Sequence, residues 1–419
     1  MLQVMRRRQM PPHPTFTYNP AAWGTTVADT GDGGTNVPAT RASTGTYIDS
    51  GGALQTAAID VARMDYASGT RMQLIEEART NSIRNNTMVG AVAGTPGTLP
   101  TNWTATTVPA GLTRTISLNT INGISCIDLN YSGTTSSSSG FQFFNETATG
   151  IAGTQNQVFA NSVWLQVIQD DAALTSLLLE LWEYSSVPAF LSTGQNTDFY
   201  STRTTFTRKT KIQTVGNASA AYVRPGIRTN TIGSGVAINV TFRIGMPQLE
   251  LGAFATSVIS TTTAAATRAA DVCSTTSINW FNAAEGVLLA KGTATNASGT
   301  FDAAFSLSDG TGANLIYVGR NSTQARGFVI TSSATEANPA ISGWANEASE
   351  TVVAGYKTND FQLGLNGALA AQDTSVNLPV VTTAAVGSYA SASQWNGGIS
   401  YLACYPHRLP NAILQRLST

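Results

Sequence analysis

Val236, Ile238, Val240, Phe242 and Ile244 alternate with Ala237, Asn239, Thr241 and Arg243. That period of two is the signature of an antiparallel strand with one face on a core. Phe301, Ala303, Phe305 and Leu307 repeat the pattern. Residues 163–168 and 174–182 are instead nearly continuous apolar runs, as expected of strands covered on both faces, and a buried helix is the competing reading for 174–182. In the last third, 352–356, a polar turn at 357–360, and 361–365 followed by Asn366-Gly367 predict successive hairpin strands. Asn-Gly suits a type I′ turn because both central residues need positive φ. Trp395-Asn396-Gly397-Gly398 predicts a further turn before a final strand over 399–405. Helical spacing occurs only at Ile413, Leu414 and Leu417, after Pro410, which predicts one short helix over 411–417. The pattern is that of an all-β protein built of antiparallel β-sandwiches.

Composition sharpens this picture. Only 11% of the 419 residues are charged, against roughly 25% in ordinary soluble domains. Ser, Thr, Asn, Ala and the 38 glycines take their place, which suits exposed strand faces and tight turns. With 23 basic and 24 acidic residues the net charge is −1, so there is no global field to draw a phosphate backbone or an anionic bilayer. Neither nucleic acid nor membrane insertion is expected, and no apolar run is long enough for a span or a secretory signal. Cys126, Cys273 and Cys404 lie too far apart in sequence to read as a disulfide framework or a zinc site, and they read as small buried hydrophobes.

A chain of this length exceeds the roughly 250–300 residues that one core supports. Composition divides it into an N-terminal arm at 1–15, a Gly-, Thr- and Ala-rich module at 16–85, a first sandwich at 86–252, a weakly charged linker at 253–275 and a second sandwich at 276–419. The arm carries Arg6, Arg7 and Arg8 ahead of Pro11, Pro12 and Pro14, and such an arm could lie on an acidic protein surface or be a solvated tail.

Three blocks resemble a bacteriophage family. ATRASTGTYIDSGGALQTAAIDVARMDY at 39–66 and LIEEARTN at 74–81 resemble the module of phage head spike fibres. The stretch from Trp103 to FRIGMPQLELGAFATS, ending at Ser257, resembles a carbohydrate-binding-module jelly roll, and TRAAD at 267–271 leads on from it. VVAGYKTNDFQLGLNGALA at 352–370 and GGISYLACYPHRLPNAILQRL at 397–417 are similar to a concanavalin A-like sandwich of laminin G type. The resemblance implies tandem jelly rolls and a virion surface appendage, made in the host cytoplasm and commonly a homotrimer. It implies attachment to capsid or tail proteins through the N-terminal region, with Arg6, Arg7 and Arg8 as candidate attachment residues, and adhesion to host cell-surface polysaccharide. A tail fibre, a decoration protein without sugar binding, and a depolymerase are the alternatives.

The chemistry in the sequence favours binding over catalysis, so no enzyme activity, cofactor or metal is expected. Paired carboxylates of a glycosidase must converge in a cleft about 5–9.5 Å apart. Glu76-Glu77, Asp170-Asp171 and Glu180 with Glu183 each point to opposite faces of a strand, and Glu76 and Glu77 read better as partners for arginines such as Arg79. His13 and His407 are the only histidines, neither in a triad motif. The loop that begins at Asp29 lacks the closing glutamate of a calcium site, and Asp309 with Asn314 reads as a hairpin turn. Sugar binding needs an aromatic face with polar groups at its rim. Trp344, Tyr356, Tyr389 and Trp395 fall in or near predicted turns beside Asn359, Asp360 and Asn396, and these are the candidate glycan contacts. Trp103, Trp164 and Trp182 read as core.

Overall fold

The computed structural model describes residues 13–20, 37–194, 197–295, 301–321, 323–390 and 392–419, so Arg6, Arg7, Arg8 and the loop around Asp29 lie outside the described residues. The protein is all-β, with antiparallel sheets forming sandwiches and a terminal helix at Asn411–Leu417. No helix among the described residues is long and apolar enough to cross a membrane.

Sandwich I comprises 43–56 and 78–269. One sheet runs in the order Thr207–Thr214, Val158–Gln169, Ala237–Leu251, Ile124–Thr134, Leu112–Ile121. The other runs Phe190–Ser192, Leu177–Tyr184, Tyr222–Thr229, Gln142–Phe144, Thr104–Thr107. The expected alternation holds in Ala237–Leu251, where Ile238, Val240, Phe242 and Ile244 enter the core shared with Leu129, Leu165, Leu179 and Phe143. The first apolar run differs from expectation at its end, and the second forms a strand, Leu177–Tyr184, with no exposed residue on either face, as expected. Val163, Leu165 and Val167 are buried while Trp164 and Gln166 are half-buried and Ile168 is exposed. Leu177, Leu179 and Leu181 face the core, which leaves Leu178, Glu180, Trp182 and Tyr184 on the face turned away from the partner sheet.

Sandwich II draws on the described residues of three stretches of chain: up to 42, 57–77 and 270–419. One sheet runs Ala368–Leu369, Asp360–Leu365, Glu350–Lys357, Glu285–Ala294, Gly397–Tyr405, Met72–Ile75, Arg63–Asp65, and Phe16–Tyr18 also pairs with Gly397–Tyr405. The other runs Ala39–Thr40, Val272–Thr275, Thr383–Val386, Asp302–Ser308, Leu315–Asn321, Gln324–Thr331, Ala334–Ala337. The hairpin at 366–367 forms as expected, with φ of 46° at Asn366 and 83° at Gly367. Asp302–Ser308 departs from simple alternation because a register shift between Ala303 and Phe305 turns Ala303 into a different apolar cluster.

The domain boundaries differ from those read off composition. Residues 16–85 do not form a module of their own. Phe16 and Tyr18, each 1% exposed, fill the core of sandwich II, whereas 43–56 and 78–85 belong to sandwich I. Nor is 253–275 a free connector. Thr256, Val258, Ile259 and Thr261 are buried, and Thr256 donates to the carboxylate of buried Glu250. Local composition could not reveal either fact, because a short strand gains its core only from a partner distant in sequence.

The two motifs flagged in the sequence, LIEEARTN and TRAAD, turn out to be partners. In sandwich I, Arg79–Asn81 pairs antiparallel with Ala266–Arg268, and the Asn81 amide donates to the carbonyls of Pro247 and Ile259. In sandwich II, the Asp271 carboxylate binds Arg41 at 2.9 Å and also Arg63, and Arg63 binds Glu76 at 2.7 Å. Glu76 thus serves as an acceptor, as expected, here for Arg63. Glu77 lies beside Asn396, its backbone N–H donating to Asn396 Oδ1 at 3.0 Å.

Candidate functional site

The structure places the sequence-predicted glycan contacts mostly in the core of sandwich II. Trp344 and Trp395 are 3% and 1% exposed and meet edge to face at 5.3 Å, and the Trp395 indole N–H donates to the Thr293 carbonyl at 2.8 Å. Tyr356 is fully buried, stacks on Phe281 and donates its hydroxyl to the Asn282 carbonyl. Asn396 is buried too, its amide occupied by the Glu77 backbone and the Gln394 carbonyl. These side chains have no face left for a sugar. They are buried because the flanking strands are rich in Ala and Gly, so a few large rings must supply the core volume.

Asn359 and Asp360 do sit at an exposed hairpin, with Asn359 at φ 59°. Asp360 accepts from Arg408 at 3.0 Å and from Gln372 at 2.9 Å. Gln372 also lines a groove of about 420 Å³ between 338–340 and 370–374, which contains no aromatic ring. Tyr389 lies apart from these residues, stacked on Tyr317 at 5.9 Å.

The candidate catalytic groups are likewise dispersed. Asp170 pairs with Arg203 and Asp171 accepts the backbone N–H groups of Ala173 and Asn239. Glu183 accepts from Gly216 and Asn217, on the opposite face from Glu180. Exposed His407 faces Glu285 at 3.3 Å. Asp309 is bonded within its own turn to Thr311 and Asn314. The three cysteines are buried and unbridged, and burial pushes the thiols of Cys273 and Cys404 up to about 12.

A different constellation stands on the outward face of sandwich I. Period-two alternation puts Glu180 and Trp182 of Leu177–Tyr184, Arg224 and Arg228 of Tyr222–Thr229, and Gln142 and Phe144 of Gln142–Phe144 on that face. Strand register sets Trp182 opposite Arg224, Glu180 opposite Gly226, and Arg228 between Leu178 and Gln142. Gly226 matters here, because a Cβ would come within 2.7 Å of the Phe144 ring that lies over it.

The face has an aromatic and a polar part. Trp182 packs on Phe144 at 4.9 Å and on Phe190 at 4.5 Å, and Phe190 is 50% exposed. The Arg224 guanidinium stacks on Phe144 at 3.9 Å, with Nε donating to the Glu146 carbonyl and Nη2 to Thr104 Oγ1, each at 2.7 Å. Glu180 is completely buried at the centre. It accepts from the Trp182 indole N–H at 2.8 Å, from Gln142 at 3.4 Å and from Arg228 Nε. These donors replace the water a buried carboxylate loses. The Arg228 side chain remains 39% exposed.

Lys211 lies under the same region. It is 4% exposed, and its ammonium has no hydrogen-bond partner among the described residues. Burial lowers its pKa to about 8, with Glu180 partly opposing the shift. Below about pH 8 the charge is present in folded and unfolded chains alike, and its desolvation opposes folding. Between about 8 and the ordinary 10.5 only the unfolded chain keeps the proton, so stability rises with pH. Lys211→Met is therefore expected to stabilise sandwich I by about 1–3 kcal/mol at pH 7, an advantage that disappears above about pH 10.5. Urea unfolding of both proteins across pH 6–11 checks this, and a gain independent of pH would contradict it.

The sequence does not reveal this face, because Trp182 sits in an apolar run and reads as core. The available signal was Glu180 interrupting that run, two residues from an indole.

No protein-family model and no curated protein matches the chain. Among solved structures it is similar to the CBM40 module of Ruminococcus gnavus IT-sialidase bound to α2,3-sialyllactose, at 14% identity over 33% of this chain and 84% of that one, with a TM-score of 0.30. It is also similar to the CBM22-1–CBM22-2 tandem of Paenibacillus barcinonensis Xyn10C (9% identity, 76% and 99% of the two chains, TM-score 0.24). A third likeness is to domains LG4-5 of the mouse laminin α1 chain (9%, 70% and 98%, TM-score 0.22). The chain thus has a distant structural similarity to β-sandwich domains of the carbohydrate-binding-module and laminin G types.

Proposed function

We propose that this chain is a non-enzymatic adhesion protein that binds glycan on the outward face formed by Leu177–Tyr184, Tyr222–Thr229 and Gln142–Phe144. The observation that carries the reading is the pairing of a half-buried indole and a half-exposed phenyl ring with a hydrogen-bonded polar cluster on the face of a sheet turned away from the core. An aromatic surface covers the apolar C–H side of a pyranose, and fixed donors and acceptors at its edge select the hydroxyls. Rigid strands hold these groups in register, so little order has to be gained on binding.

The biological setting belongs to the same proposal. The resemblance at 39–66 and 74–81 supports a subunit of a phage head spike or related virion appendage, trimeric, anchored to capsid or tail protein and displayed on the particle surface. In such an array weak sites suffice, since avidity can exceed single-site affinity by about 10²–10⁴.

Phe190→Ala tests the face with little risk to folding, because the ring is half exposed. On an array of host-surface polysaccharides, saturable binding by the wild type that falls about fivefold or more in Phe190→Ala is the expected result. Wild-type protein that binds no glycan would instead point to a purely structural decoration role.

A further inference from the structure

We infer that the glycan bound on this face carries a carboxylate, as in a uronic or nonulosonic acid, and that Arg228 reads it. The inference rests on the glycan-binding reading above and specifies its ligand. A guanidinium offers five N–H donors in a planar fork. In Arg228, Nε binds buried Glu180, while Nη1 and Nη2 have no partner among the described residues and the side chain is 39% exposed. One edge of the fork is thus anchored and the other presented. The acceptor that matches two parallel N–H groups is a carboxylate, not a single hydroxyl. Arg224 does not compete for this role, because Glu146, Thr104 and the Phe144 ring engage it.

Local charge points the same way. Arg224, Arg228 and the underlying Lys211 stand against Glu180, whereas Glu146 is matched by Arg84 at 2.6 Å. Asp198, opposite Leu178, is a second carboxylate, held by the backbone N–H groups of Leu177 and Tyr200, so three cations stand against two anions. In a chain of net charge −1, this cationic excess is a property of the site and not of overall composition. The aromatic part lies within reach of the same sugar. Trp182 Nε1 and Arg228 Nε bind the two oxygens of one carboxylate, so the two donors stand within about 8 Å of each other by ordinary hydrogen-bond lengths.

The test titrates the full chain with matched pairs: oligogalacturonate against its methyl ester, and α2,3-sialyllactose against lactose. In at least one pair the acid should bind about tenfold or more tightly than its uncharged counterpart, and less tightly in about 300 mM than in about 50 mM salt. Arg228→Lys keeps a cation for Glu180 but loses the paired donors, and should cost about tenfold for the acid. Phe190→Ala should weaken acid and neutral forms alike. Equal affinity for acid and neutral forms, binding confined to neutral glycans, or wild-type affinity in Arg228→Lys would overturn the carboxylate assignment and leave glycan binding standing. Binding to no glycan at all would overturn both.

Discussion

Trp395→Ala is expected to destabilise sandwich II by about 3–5 kcal/mol, the range for deleting a large buried ring from a packed core. The side chain is 1% exposed and packs edge to face with Trp344, and its N–H satisfies the Thr293 carbonyl. Truncation therefore leaves a cavity and removes the indole hydrogen bond to that carbonyl together, and neighbouring strands can collapse into the space only in part. Urea unfolding followed by near-ultraviolet circular dichroism reports the loss. A variant within about 0.5 kcal/mol of wild type would show that the ring is not the core element described here. Loss of sugar binding in this variant would report unfolding, which is why Phe190 and Arg228 are the better probes of function.

Asp271→Ala should be as damaging, again by about 3–5 kcal/mol, because removing one member of a buried ionic cluster strands the others. Arg41 and Arg63, with side chains 1% and 0% exposed, share this carboxylate, and Glu76 then remains the acidic partner of Arg63. The backbone N–H of Glu76 also loses its acceptor, the Asp271 carboxylate 195 positions away. A double-mutant cycle with Arg63→Met separates the cluster from simple loss of volume. The double variant should be less destabilised than the sum of the singles by at least about 1 kcal/mol, and strict additivity would mean that the two side chains act independently.

Both experiments concern features whose residues stand out in the sequence for other reasons. Trp395 is conspicuous beside a turn, and a ring beside a turn invites a binding role. Whether it faces solvent depends on which strands cover it, and Gly397–Tyr405 receives Phe16–Tyr18 and Met72–Ile75 from far upstream. Thr15 Oγ1 reaches the Cys404 carbonyl across 389 positions. No local pattern contains that pairing. The run 174–182 leaves open what covers its second face, where Glu180 is buried among Trp182, Gln142 and Arg228 and Trp182 stays half-buried.

What the sequence determined by itself was everything governed by neighbours along the chain. Period-two alternation placed Ala237–Leu251 with the correct residues inward, Asn366-Gly367 produced a hairpin because both residues tolerate positive φ, and Pro410 followed by helical spacing specified Asn411–Leu417. Tertiary structure alone decided the division into sandwiches, the partnership of LIEEARTN with TRAAD and the burial of Trp344, Tyr356 and Trp395. It also decided the meeting of Trp182, Glu180 and Arg228 on one face. Sheet pairing joins strands through backbone hydrogen bonds that any residue can make. The identity of a strand's neighbour is therefore written in the complementarity of whole faces, which exist only once the chain has folded.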